Sequence, residues 1–224
     1  TTLMFLLLWL LQRRVCWAWL VPLTIVTGLA PVSRYIGVVN IFTATVSLGL
    51  ILRGRWWTRI LQCAAFAFVT AIPLGIWAFR NYSIDQTFFG VRPPSHIPIT
   101  DNIYRTWVTL SGWFETVGNS HITILWLVVP TIVYAISQVR ASIRWRACVP
   151  LLLYITVYVA FLNISLTRYV TDPIGTRFLA PVYVPLVLLL GLIITATLER
   201  AKGSTRFLMI GALALLSLIH ISEP

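Results

Sequence analysis

Long apolar runs, broken by short gaps that gather arginines, set the pattern of this chain. Continuous apolar stretches occur at about 15–31, 36–52, 60–79, 122–138, 148–167 and 178–198. Shorter ones occupy 3–11 and the region from Phe207 onward. Each is an unbroken run rather than an alternation of apolar and polar positions, so helices are predicted and barrel strands are not. At about 1.5 Å per residue the six longer runs approach the roughly 30 Å of a bilayer core. The fold expected is therefore all-α: a polytopic transmembrane bundle of about six complete spans and two partial ones, forming one membrane domain over residues 1–224. Pro22, Pro73, Pro130, Pro150 and Pro185 fall inside these runs. They would break soluble helices but are tolerated where neighbouring helices satisfy the freed backbone groups.

Charge sharpens the picture into a topology. Alternate gaps hold Arg13 and Arg14; Arg53, Arg55 and Arg59; Arg140, Arg144 and Arg146; and Arg200, Lys202 and Arg206, eleven of the seventeen basic residues. The intervening gaps hold Arg34, Arg80, Arg92, Arg105, Arg168 and Arg177, with Asp85, Asp101, Glu115 and Asp172 beside them. The more basic set is expected to face the cytoplasm. Trp17, Trp19, Trp56, Trp57, Trp77, Tyr82 and Trp145 gather at the run ends, as an interfacial belt would. Composition agrees: 58% of residues are hydrophobic and 10% charged, with a mean hydropathy of +0.87. The net charge of +11 is explained by loops beside anionic headgroups, so membrane lipids rather than nucleic acid are the expected partners. Cys16, Cys63 and Cys148 sit in or beside apolar runs without CxxC spacing and read as packing residues.

One outer gap, from Arg80 to His121, is far longer than the rest, and loops of that length in compact domains are commonly functional. Within it Ile103, Trp107, Leu110, Phe114 and Val117 recur at helical spacing, while Thr106, Thr109, Glu115 and Thr116 lie away from that stripe. An amphipathic helix along the membrane interface is predicted, started by Asp101 or Asn102 as cap. It either seals the outer end of the bundle or walls a substrate groove through Trp107 and Phe114.

Arg80 and Asn81 follow the apolar run 71–79 directly, and Arg168 and Arg177 flank Asp172 in a short outer hairpin. A guanidinium suits phosphate because its planar fork donates two parallel hydrogen bonds while staying charged. Arg80, Asn81, Arg168 and Arg177 are thus candidates to bind a lipid phosphate, the competing reading being snorkelling anchors or a local ion pair with Asp172. His96 and His121 lie in the long loop without neighbours at metal-ligand spacing, so no metal site is assigned.

The run PLGIWAFRNYSIDQTFFGVRPPS, carrying Pro73, Trp77, Arg80, Asn81, Gly90, Arg92 and Ser95, resembles the C-terminal half of bacterial GT-C class glycosyltransferases. So does DPIGTRFLAPVYVPLVLLL, carrying Asp172, Arg177, Phe178, Pro181 and Pro185. These are polytopic enzymes of the protein O-mannosyltransferase and aminoarabinose transferase type. The resemblance spans about residues 15–206 through loose motifs. It implies a transferase in the bacterial plasma membrane using a polyprenyl-phosphate-linked sugar on the outer face. Such enzymes carry an acidic pair in their first outer loop, as base or as ligand of a divalent cation. This chain has no such pair, so the catalytic residue is unknown and no cofactor is identified; the acid is expected upstream, and the segment alone is expected to be inactive. Thr1 opens directly on an apolar run, which reads as the tail of a longer span, and residues 216–224 resemble a non-native tail. A transporter or flippase, or a non-catalytic scaffold, stands as the alternative class.

Overall fold

A computed structural model describes residues 1–13, 17–88, 90, 92–113, 145–169 and 174–200. The regular elements among them are helical: α1 (Thr2–Arg13), α2 (Trp17–Ser33), α3 (Val38–Ile51), α4 (Trp56–Asp85), α5 (Ile99–Gly112), α6 (Trp145–Arg168) and α7 (Thr176–Arg200), with a 3-10 turn at Tyr35–Gly37. The apolar runs that fall within them are helical, with ends within a few residues of the expected ones except in α4. The runs at 122–138 and from Phe207 lie outside the described residues.

Two helices are long and apolar enough to cross a membrane, Trp56–Asp85 and the Cys148–Arg168 part of α6. The count of six complete spans is not matched by length among the described residues. Helix α3, with 14 residues, is only about 21 Å long. Helix α4 runs further than its apolar stretch, to a left-handed cap at Gln86 (φ 54°), whose N–H donates to the Tyr82 carbonyl at 3.0 Å. Arg80 and Asn81 accordingly sit within its last two turns rather than at its end. At the other end Trp56 and Trp57 stack at 3.7 Å. From Trp57 to Tyr82 the helix rises about 37 Å, enough for a hydrocarbon core with its interfaces.

Helix α4 packs along α2 and α3, and α6 lies against α3, α5 and α7. Between them the core joins Met4, Phe5, Leu8 and Leu11 of α1 to Leu23, Val39, Leu48, Tyr154, Tyr158 and Leu179. Phe5 meets Tyr154 edge-on at 5.4 Å, an arrangement aromatic quadrupoles favour. Small residues bring backbones close: a Cβ on Gly28 would stand 3.1 Å from the Thr70 carbonyl oxygen across the α2–α4 contact. Arg59 donates from its guanidinium to the Gly49 carbonyl in the last turn of α3, satisfying one of the carbonyls a helix end leaves free. The outward side of α4 is apolar and bare among the described residues, with Leu61 71%, Phe68 71% and Phe79 73% exposed. An apolar surface of this extent marks contact with lipid or with another protein segment rather than with water.

Candidate functional site

At the end of the bundle where α2, α4 and α6 finish and α7 begins lies a cavity of about 950 Å³. Its floor is one face of α6, with Tyr158, Phe161, Leu162, Ser165, Leu166 and Tyr169 following helical spacing. Ser33 and Arg34 from the end of α2, Tyr35 and Ile36 from the 3-10 turn, and Val38 line a second side. Leu74, Thr87, Phe88, Gly90 and Arg92 contribute from α4 and the chain after it, and Arg177 and Phe178 from the start of α7.

Local chemistry explains how these pieces are held. The turn into α3 needs Gly37: a Cβ there would lie 2.3 Å from the Ala30 carbonyl oxygen, so only glycine lets the two helix ends close. After α4 the chain reverses through Gly90, whose φ of 80° is costly for any side-chain-bearing residue. It is then fastened to the end of α6 by an isolated antiparallel bridge between Pro94 and Tyr169 and by the Ser95 N–H donating to the Arg168 carbonyl at 3.1 Å. Ser95 Oγ accepts from the Ile97 N–H at 3.2 Å, continuing the turn toward α5. Arg92 lies over the Tyr35 ring, 4.8 Å from its centre, tying this strap to the α2–α3 turn. Across the floor the Tyr158 hydroxyl donates to the Phe178 carbonyl at 2.7 Å, which sets α7 against α6.

The electrostatics of this cavity are one-sided. Arg34, Arg92 and Arg177, all three exposed, come from three separate segments, and no Asp or Glu is among the described lining residues. Thr87 adds a buried hydroxyl without a hydrogen-bond partner among the described residues. The remaining walls are aromatic and aliphatic. Such an arrangement can hold an amphiphilic anion, its charge on the guanidiniums and its apolar part against Phe161, Leu162 and Phe178.

Of the arginines expected from the sequence, Arg177 lines this cavity. Arg80 and Arg168 are exposed and Asn81 is half-buried, and none of the three is among the lining residues. Arg80 and Asn81 are carried on α4, whose contribution to the lining comes from Leu74 and the residues after its end; Arg168 serves the site through its backbone carbonyl. Trp107 is also elsewhere. Helix α5 packs against Asn163 and Thr167, on the side of α6 turned away from Tyr158, Leu162 and Ser165. Phe114 and Asp172 lie outside the described residues. Arg34 and Arg92, which the site gained, belong to the less basic set of gaps and carry no local pattern that marks them. Among the described residues no three His, Cys, Asp or Glu side chains come together as metal ligands. The expected caps of α5 are not formed: Pro98 occupies the cap position, and Asn102 instead donates to the Thr167 hydroxyl at 3.1 Å.

Comparison with known protein families, characterised proteins and solved structures finds no match to this chain.

Proposed function

We infer that this chain is the phosphate-holding membrane portion of a glycosyltransferase that draws its sugar from a polyprenyl-phosphate donor at the outer face of a bacterial plasma membrane. The observation that carries the reading is that Arg34, Arg92 and Arg177 line one largely apolar cavity with no carboxylate among its described lining residues. Like charges gathered in one place repel, so a cluster with no acid among its described neighbours is best accounted for by an anionic ligand that they share. Transfer breaks the bond between the sugar and the phosphate oxygen, and negative charge grows on the departing lipid phosphate. Fixed guanidiniums there stabilise that charge more in the transition state than in the ground state. They cannot accept a proton from an acceptor hydroxyl at neutral pH, so the base must be another group. The phosphate role thereby moves from Arg80, Asn81 and Arg168 to Arg34 and Arg92, with Arg177 kept. The wider topology proposed with it is multi-pass, about six complete spans with the more basic gaps in the cytoplasm.

A transporter or flippase of the same lipid is the second reading, and one observation favours it. Thr27, Asn40, Thr43 and Ser47 place buried polar atoms inside α2 and α3 with no hydrogen-bond partner among the described residues. Polar groups at such depth often mark a translocation path.

The test is equilibrium binding of farnesyl phosphate to the purified protein and to Arg34→Gln/Arg92→Gln/Arg177→Gln. A hydrogen bond to a charged group contributes about 1.5–3 kcal/mol, so the triple variant should bind at least roughly tenfold more weakly. Farnesol, which lacks the phosphate, should bind both equally. Unchanged affinity for the phosphate would remove the reading. Movement of farnesyl phosphate between leaflets would favour the second.

A further inference from the structure

Over its first turns helix α5 is amphipathic with its faces reversed, whereas Leu110 further along packs against the core. Asn102 and Thr106 are buried, while Ile103 is 55% and Tyr104 67% exposed and Trp107 and Val108 are exposed with them. The buried polar pair is taken up by α6: Asn102 Nδ2 donates to Thr167 Oγ1, and Asn163 Nδ2 donates to Thr106 Oγ1, both at 3.1 Å. Asn163 also donates to the Val159 carbonyl at 2.8 Å, so this amide is satisfied within the seam. The partners step four residues forward on α5 and four back on α6. The two helices therefore run antiparallel, and α5 descends along α6 from its outer end instead of lying across it.

Around α5, at about 100° per residue, three sectors follow one another. One is the seam on α6. The next holds Ile103, Trp107, Tyr104 and Val108, contains no charge, and ends at the buried Ser111, where α5 turns to pack against α7. The third holds Asp101 and Arg105, both exposed. A helix lying flat in solvent has no use for the second sector, and one buried in protein has none for the third.

We propose that α5 is a half-span inserted beside α6 in the outer leaflet, with its Ile103–Tyr104–Trp107–Val108 face against lipid acyl chains. The apolar sector continues the surface of α6, a span-length helix that exposes Ile164 to the same surroundings. Tyr104 and Trp107 are the side chains that the interfacial layer prefers, and Asp101 and Arg105 reach back to headgroups and water. This rests on the membrane reading of α4 and α6 but not on any transferase activity.

The experiment places a nitroxide on single cysteines at Asp101, Ile103, Trp107 and, as a control on α4, Phe68. The background is Cys16→Ala/Cys63→Ala/Cys148→Ala, reconstituted in phosphatidylethanolamine–phosphatidylglycerol vesicles. Collisions with oxygen report acyl chains, and collisions with a water-soluble nickel chelate report the aqueous phase. Positions 103 and 107 should favour oxygen, with 107 deeper by roughly 6 Å, one helical turn, and 101 should favour nickel. Equal depth at 103 and 107 means that α5 lies flat, nickel access at 107 means that it faces water, and access to neither reagent means that protein covers it; each overturns the half-span. If Phe68 also fails to favour oxygen, the membrane reading itself falls. If Phe68 favours oxygen and 107 does not, only α5 was misassigned.

Discussion

The guanidinium of Arg92 lies 4.8 Å from the centre of the Tyr35 ring, and this contact joins the strap after α4 to the turn between α2 and α3. Both residues line the cavity, so the ring fixes the exposed Arg92 side chain beside it. A cation–π contact of this kind contributes about 0.5–2 kcal/mol. Tyr35→Leu should therefore weaken farnesyl phosphate binding about fivefold, with a modest loss of thermal stability because the ring also meets Trp77 edge-on at 5.0 Å. Arg92→Lys keeps the charge but loses the planar fork, and should weaken binding by a similar amount. Titration of each variant with farnesyl phosphate checks both.

Gly37 is the position where the smallest change should do most damage near the site. An added methyl would stand 2.3 Å from the Ala30 carbonyl oxygen and 2.6 Å from the Pro31 nitrogen, both backbone atoms that cannot swing aside. Gly37→Ala should cost roughly 1–3 kcal/mol as overpacking and displace Arg34 and Tyr35 together. By contrast Gly75→Ala, where a Cβ meets nothing within 4 Å, should be stable. Thermal unfolding of the two variants in detergent compares them directly.

The seam between α5 and α6 makes a separate prediction. Thr106→Ala removes one partner of Asn163, and Asn163→Ala removes the whole rung, leaving Thr106 buried without it. A buried polar group left unpaired costs about 1–3 kcal/mol. The coupling between the two residues within a membrane bundle is nearer 0.6 kcal/mol. A double-mutant cycle on unfolding midpoints should return that smaller figure, because the Asn163 amide keeps the Val159 carbonyl as acceptor.

How much of this was legible beforehand follows from where each interaction originates. The helices were, because a continuous apolar run has one economical backbone solution in lipid, and α6 lies close to its expected limits at 148–167. Arg177 was visible as an arginine at the start of a run. Arg34 and Arg92 were passed over as site residues, since their meeting depends on the Pro94–Tyr169 bridge and the Tyr35 stack, contacts between segments far apart in sequence. For α5 the periodicity revealed two faces but not which of them would meet protein. In water the apolar stripe would be buried; here Asn163 and Thr167 draw the polar face inward.

Asn40 offers a check on the second functional reading. Its side-chain carbonyl is buried in α3 without a hydrogen-bond partner among the described residues, and such an acceptor costs stability unless something is gained from it. Asn40→Leu should therefore leave the unfolding midpoint unchanged or raise it. If the variant were instead stable but unable to move farnesyl phosphate across vesicles that the parent protein serves, the transport reading would gain a residue.

The claim that the three-arginine cavity holds a lipid phosphate is tested most directly by photocrosslinking. A farnesyl phosphate carrying a diazirine on its first isoprene unit would be irradiated with the protein, and the labelled peptides mapped by mass spectrometry. The account predicts adducts on Tyr158, Phe161, Leu162, Tyr169 or Phe178, suppressed by excess unlabelled farnesyl phosphate and lost in Arg34→Gln/Arg92→Gln/Arg177→Gln. Adducts confined to the exposed side of α4 around Arg80, or labelling indifferent to the three substitutions, would contradict it.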